Sequence, residues 1–171
     1  NDEKGSASCE KCKSGYYGVA TGCAKCPAGF VRGSDASAEK CIPCDKGWYQ
    51  RKEAQAACLP CVPGRYQAKP NSTECELCPA DSFSNDTNMT RCLPCASGES
   101  TYTREGAASC EKCQAGKYGD NCANCPAGFV RGSNSNSAAK CDECLPGYSQ
   151  KLAGQAACLP CVPGKFQSKF N

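Results

Sequence analysis

The chain is 171 residues long, holds 20 cysteines and no histidine, and balances 20 Lys and Arg against 17 Asp and Glu for a net charge of +3. Leu, Ile, Val and Phe together number 17, about a tenth of the chain, and below roughly 20% of those residues a sequence cannot bury enough apolar surface to offset the entropy of ordering. A conventional apolar core is thereby excluded; the scattered positive charges form no basic face for nucleic acid, and no run approaches the roughly 18 apolar residues of a membrane span.

All the cysteines fall in ten Cys-x-x-Cys pairs, from Cys9/Cys12 to Cys158/Cys161. In chain order each pair opens a unit of one grammar, the second cysteine followed by x-x-Gly and an aromatic: Cys12-Lys-Ser-Gly15-Tyr16, Cys26-Pro-Ala-Gly29-Phe30, Cys44-Asp-Lys-Gly47-Trp48, Cys61-Val-Pro-Gly64-Arg-Tyr66. It continues at Gly98, at Gly116 with Tyr118, Gly128 with Phe129, Gly147 with Tyr148 and Gly164 with Phe166, and Asp81 takes the glycine's place before Phe83. Glycine at that offset predicts a type II turn whose third residue has positive φ, a region aspartate also tolerates. The aromatic then starts a short extended run whose ring can cover the adjacent cystine, and a polar stretch leads back to the next cysteine. The predicted fold is small and disulfide-rich: an elongated tandem array of short β-hairpin cysteine-rich repeats, with little regular secondary structure and no helix bundle or large core.

A longer period of about 100 residues lies on top: Cys9-Glu-Lys-Cys12 recurs from Cys110, Pro27–Ser34 from Pro126, and Gln55–Gly64 from Gln155. It divides the chain into residues 1–74, a first copy; 75–109, intermediate repeats; and 110–171, a second, incomplete copy. Because Asn171 matches Asn71 in mid-pattern, the expectation is a slice of a longer array, whose units touch only their neighbours.

The spacing at Cys41, Cys44, Cys58 and Cys61 also suits a four-thiolate zinc site. The lack of histidine, the lack of an amphipathic helix after any pair, and three glycosylation sequons at Asn71, Asn85 and Asn88 point instead to an oxidising, secretory setting and to disulfides. No metal and no cofactor are expected. Two connectivities remain. In a ladder, the second cysteine of each pair joins the first of the next: Cys12–Cys23, Cys26–Cys41, Cys44–Cys58, Cys61–Cys75, Cys78–Cys92, Cys95–Cys110, Cys113–Cys122, Cys125–Cys141 and Cys144–Cys158, which leaves Cys9 and Cys161 for neighbouring units. In the other scheme, successive pairs join in parallel, Cys9–Cys23 with Cys12–Cys26, then Cys41–Cys58 with Cys44–Cys61. The ladder is favoured because it encloses every Gly-aromatic hairpin in its own loop, and closing about 15 residues restrains the unfolded chain by about 3 kcal/mol.

This grammar resembles the ephrin-receptor-like cysteine-rich repeat of the wider growth-factor-receptor group. The single-disulfide loops of tumour necrosis factor receptors are similar, and so are the Cys-x-x-Cys-rich surface proteins of protozoa and ciliates. The resemblance implies a non-enzymatic protein of small β-hairpin units, secreted or at the cell surface. No constellation of side chains argues for catalysis. The function expected is structural: a rod, coat, appendage or fibril built by tandem stacking and self-association and carrying N-linked glycans. The alternative is the ectodomain of a receptor or variant surface antigen that binds a protein ligand, for which Tyr17, Tyr49 and Phe170 are the aromatics outside the repeat position.

Overall fold

The computed structural model describes residues 12–34, 40–133 and 139–168, so Cys9, Phe170 and Asn171 lie outside the described residues. After each Cys-x-x-Cys the chain makes a tight turn: the N–H of Tyr16 donates to the Lys13 carbonyl (3.0 Å), that of Trp48 to Asp45 (3.0 Å) and that of Phe129 to Pro126 (3.1 Å). The third turn residue has positive φ, 82° at Gly47 and 58° at Asp81, which glycine adopts freely and aspartate at modest cost.

A strand begins directly after the turn and pairs with the two residues between the next pair of cysteines, the first hairpin extending further, to Gly22. Among the described residues this gives nine two-stranded antiparallel hairpins. They join Tyr16–Val19 to Gly22–Lys25, Phe30–Val31 to Ile42–Pro43, Trp48–Tyr49 to Leu59–Pro60, Arg65–Tyr66 to Glu76–Leu77, and Ser82–Phe83 to Leu93–Pro94. The rest join Glu99–Ser100 to Glu111–Lys112, Lys117–Tyr118 to Ala123–Asn124, Phe129–Val130 to Asp142–Glu143, and Tyr148–Ser149 to Leu159–Pro160. The only helical element among the described residues is a single 3-10 turn, Asp120–Cys122.

Ladders of two residues are too short to persist alone in water; covalent closure holds them. In the structure Cys12 is bonded to Cys23, Cys26 to Cys41, Cys44 to Cys58, Cys61 to Cys75 and Cys78 to Cys92. Cys95 is bonded to Cys110, Cys113 to Cys122, Cys125 to Cys141 and Cys144 to Cys158. The sequence separation runs from 9 residues at Cys113–Cys122 to 16 at Cys125–Cys141. Each loop thus contains one turn and the first strand of one hairpin.

The core consists largely of sulfur. Cys26, Cys44, Cys61, Cys78, Cys125 and Cys144, each the second cysteine of its pair, are fully buried, while the rings of Tyr16, Phe30, Trp48, Phe83 and Phe129 on the first strands are only half-buried. The buried polar positions are Arg32, Gln50, Gln67, Ser84, Ser100, Thr101 and Arg131, all but Ser100 lying three residues past the turn glycine or, for Ser84, past Asp81.

By contacts the chain forms two compact units. One comprises Asn1–Val62, Tyr66–Glu76 and Thr87–Thr90; the other comprises Pro63–Arg65, Leu77–Asp86 and Arg91–Asn171.

Candidate interaction surface

Within each unit, successive loops dock through repeated backbone hydrogen bonds. In the first unit the turn-glycine N–H donates to the buried polar position of the next loop: Gly15 to Arg32 (2.7 Å), Gly29 to Gln50 (2.7 Å) and Gly47 to Gln67 (2.8 Å). In the second unit Gly64 donates to Ser84 (2.9 Å), Gly98 to Gly119 (3.1 Å), Gly116 to Arg131 (2.7 Å) and Gly128 to Gln150 (2.6 Å). The glycine carbonyl in turn accepts from the second cysteine of the following pair, as Cys44 N to Gly29 O (2.8 Å) and Cys144 N to Gly128 O (2.9 Å).

The side chains at the docking position complete the seam. The Arg32 guanidinium donates to the carbonyls of Cys12 (3.0 Å), Lys13 (3.2 Å) and Tyr16 (2.5 Å). Arg131, its counterpart in the second copy, donates to Cys113 (3.1 Å), Gln114 (3.3 Å) and Lys117 (2.9 Å). Gln50 instead braces its own loop: its amide donates to Ala57 O (2.8 Å) and its carbonyl accepts from Lys52 N (3.1 Å). Gln67 does the same with Glu74 and Lys69. Where Asp81 replaces glycine, its carboxylate accepts from Ser100 Oγ (2.6 Å) and Thr101 N (3.2 Å), and its own N–H donates to Thr101 Oγ1 (2.8 Å). Each buried polar group is thereby satisfied, as the low dielectric of an interior demands. The recurrence of Gln or Arg three residues past the glycine was the signal in the sequence that these positions are interior.

The contacts also reach past the nearest neighbour. The N–H of Ala54 donates to Cys26 O (2.8 Å), that of Asn71 to Cys44 O (2.8 Å) and that of Asn88 to Cys61 O (3.0 Å). All three donors have left-handed φ, 56°, 61° and 61°, and their carbonyls face the turn glycines Gly15, Gly29 and Gly47. Gly15 lies in the Cys12–Cys23 loop and Ala54 in the Cys44–Cys58 loop, with a whole loop between them in sequence. Neighbour-only contact, expected from the repeat, therefore gives way to a seam spanning three successive loops, because the left-handed kink carries the backbone onto the open face of the earlier glycine.

Asn71, Asn85 and Asn88 are all exposed. Cys161, half-buried, is the one cysteine among the described residues outside a disulfide. Tyr17 and Tyr49 are half-buried in strands, opposite Ala24 and Leu59. The Tyr66 hydroxyl donates to the Glu76 carboxylate (2.8 Å), and this hydrogen bond, with some burial and the nearby negative charge, raises its pKa above the ordinary tyrosine value.

The prominent apolar surface lies elsewhere, in the second unit. Leu145 and Leu152 are 61% and 66% exposed, with Tyr148, Leu159, Val162 and Phe166 also open to solvent. A groove of about 460 Å³ runs along Leu152, Leu159, Pro160, Val162 and Lys165. The first copy carries Asp45 and Lys52 where the second has Leu145 and Leu152. Alignment of the two copies, rather than a search for exposed aromatics, would have found this face.

The hairpins are thus closed by disulfides spanning 9 to 16 residues, with glycine, or Asp81 in one loop, on the tight turn. Residues 32–74 match the family of tyrosine-protein kinase ephrin type A/B receptor-like sequences. The ephrin-receptor-like segment runs from the buried Arg32 through the Cys44–Cys58 loop to Glu74, beside Cys75, and covers a quarter of the chain. The chain as a whole is a cysteine-rich repeat protein. Comparison with curated proteins finds no match. No helix among the described residues is long and apolar enough to cross a membrane.

Proposed function

We propose that this chain is a non-enzymatic scaffold of the extracellular or cell-surface space, a run of covalently closed hairpins that serves as part of a receptor-type ectodomain. One observation carries the reading: buried polar side chains and backbone groups are spent on loop-to-loop docking, as with Arg32 and Arg131 on three carbonyls each. An oxidising compartment is where nine disulfides persist, and the ephrin-receptor-like match at residues 32–74 supports the receptor-type assignment. A protein ligand for such a scaffold would find its apolar anchors at Leu145 and Leu152, which are exposed leucines on one copy only, beside Leu159.

A second reading, self-association into a coat or fibril, is favoured by the recurrence of equivalent surfaces about 100 residues apart, since repeated identical patches suit head-to-tail assembly. Sedimentation velocity on the oxidised chain separates the two. A single species over a hundredfold range of concentration is the expected result for the ectodomain scaffold. Concentration-dependent growth into larger species would replace it with the self-associating coat.

A further inference from the structure

We propose that Asn71 and Asn88 each carry an N-linked glycan at one structurally equivalent position of consecutive loops, and that Asn85 between them carries none. Both residues sit at the left-handed kink seven residues past the turn residue, Gly64 or Asp81, with φ 61° in each case. The backbone of each is committed to the seam: the N–H groups bind the Cys44 and Cys61 carbonyls, and the carbonyls face Gly29 and Gly47. The side chains are exposed, so the fold anchors the main chain and leaves the amide free to bear a bulky group.

Asparagine alone would have a purely conformational explanation, because it tolerates left-handed φ better than most residues. The residue two places on removes it. The same kink is occupied by Ala54, Gly106 and Gly154 in other loops, and there the residue two places on is alanine: Ala56, Ala108 and Ala156. It is threonine, Thr73 and Thr90, only where the kink is asparagine. The kink has no need of that hydroxyl, as the alanine loops demonstrate, whereas a glycosylation sequon requires it. Asn85 is a different case: it lies outside the kink position, Asp86 places a carboxylate inside its sequon, and both Asp86 and Thr87 have partners within the fold.

The transfer joins the asparagine amide nitrogen to the anomeric carbon of an oligosaccharide carried on a polyprenyl pyrophosphate. The carbon–oxygen bond to pyrophosphate breaks, the pyrophosphate leaves with the bonding pair, and the amide gives one proton to a base of the transferase. The proposal rests on the extracellular reading only in requiring passage through the secretory route.

The test expresses the full chain behind a secretion signal in eukaryotic cells and removes glycans enzymatically in ¹⁸O water, which marks each formerly glycosylated asparagine as labelled aspartate. Label at Asn71 and Asn88 and none at Asn85 is expected. Thr73→Ala should abolish the first label alone and Thr90→Ala the second alone, while Thr73→Ser and Thr90→Ser keep both. Label at Asn85, beside or in place of Asn88, overturns the proposal. So does a secreted chain with its disulfides formed and no glycan, an outcome that leaves the extracellular reading standing.

Discussion

Full reduction of the chain is expected to abolish its fold. Leu, Ile, Val and Phe supply about a tenth of the residues, and the fully buried apolar side chains among the described residues are half-cystines. Cutting the sulfur bonds therefore removes the core and the loop constraint together. Each loop of about 15 residues loses about 3 kcal/mol of restraint on the unfolded chain, against net stabilities of only about 5–15 kcal/mol for ordinary domains. In an amide correlation spectrum, the dispersed peaks of the oxidised protein should collapse to the narrow range of a disordered chain on reduction. A milder version localises the effect. In Cys44→Ser/Cys58→Ser, amides from Gly47 to Cys61 should lose most of their exchange protection while those around Arg131 keep theirs. A dispersed spectrum after complete reduction would show that packing other than the cystines holds the chain.

The second large effect concerns one glycine of the seam. Gly47 and Gly147 occupy the same position in the two copies, with φ 82° and 86°, so alanine at either pays the same penalty of roughly 1–2 kcal/mol for a left-handed residue. Their surroundings differ. A Cβ on Gly47 would run into the backbone carbonyl of Asn88, well inside van der Waals contact, whereas one on Gly147 meets nothing within 4 Å. A main-chain carbonyl cannot swing aside like the end of a side chain. Gly47→Ala must displace the kink and with it the Asn88–Cys61 and Gln67–Met89 hydrogen bonds, each worth about 1 kcal/mol. We expect Gly47→Ala to cost about 3–5 kcal/mol locally and Gly147→Ala about 1–2 kcal/mol. Native-state hydrogen exchange at Asn88 and Gln67 should show protection falling by roughly two to three orders of magnitude in the first variant. In the second, those two amides should be unchanged. Equal effects of the two substitutions would mean that positive φ, and not loop docking, fixes the glycine.

Much of the local fold was legible because its causes are local. Glycine three residues past a cysteine dictates the turn, and the aromatic starts the strand at Tyr16, Phe30, Trp48 and Phe129 as its position after the turn implies. Loop-to-loop docking was less so, since it depends on what lies one or two loops away. Arg32 reads as a solvated charge when taken singly and becomes an interior cap only once the Cys12–Cys23 loop is folded beneath it. Ala54 gives no sign of its left-handed conformation, because alanine disfavours that region and is held there by the Cys26 carbonyl and the bare face of Gly15. The apolar face at Leu145 and Leu152 escaped a search for exposed aromatics because its signal lies in the difference between copies rather than in either alone.

Nine successive loops among the described residues are each closed by one disulfide, between the second cysteine of one pair and the first of the next. Non-reducing proteolysis with electron-transfer fragmentation, which cleaves both backbone and sulfur–sulfur bonds, tests it most directly. Cys44 joined to Cys58 and Cys61 joined to Cys75 is the predicted result; Cys41 joined to Cys58 together with Cys44 joined to Cys61 would contradict it.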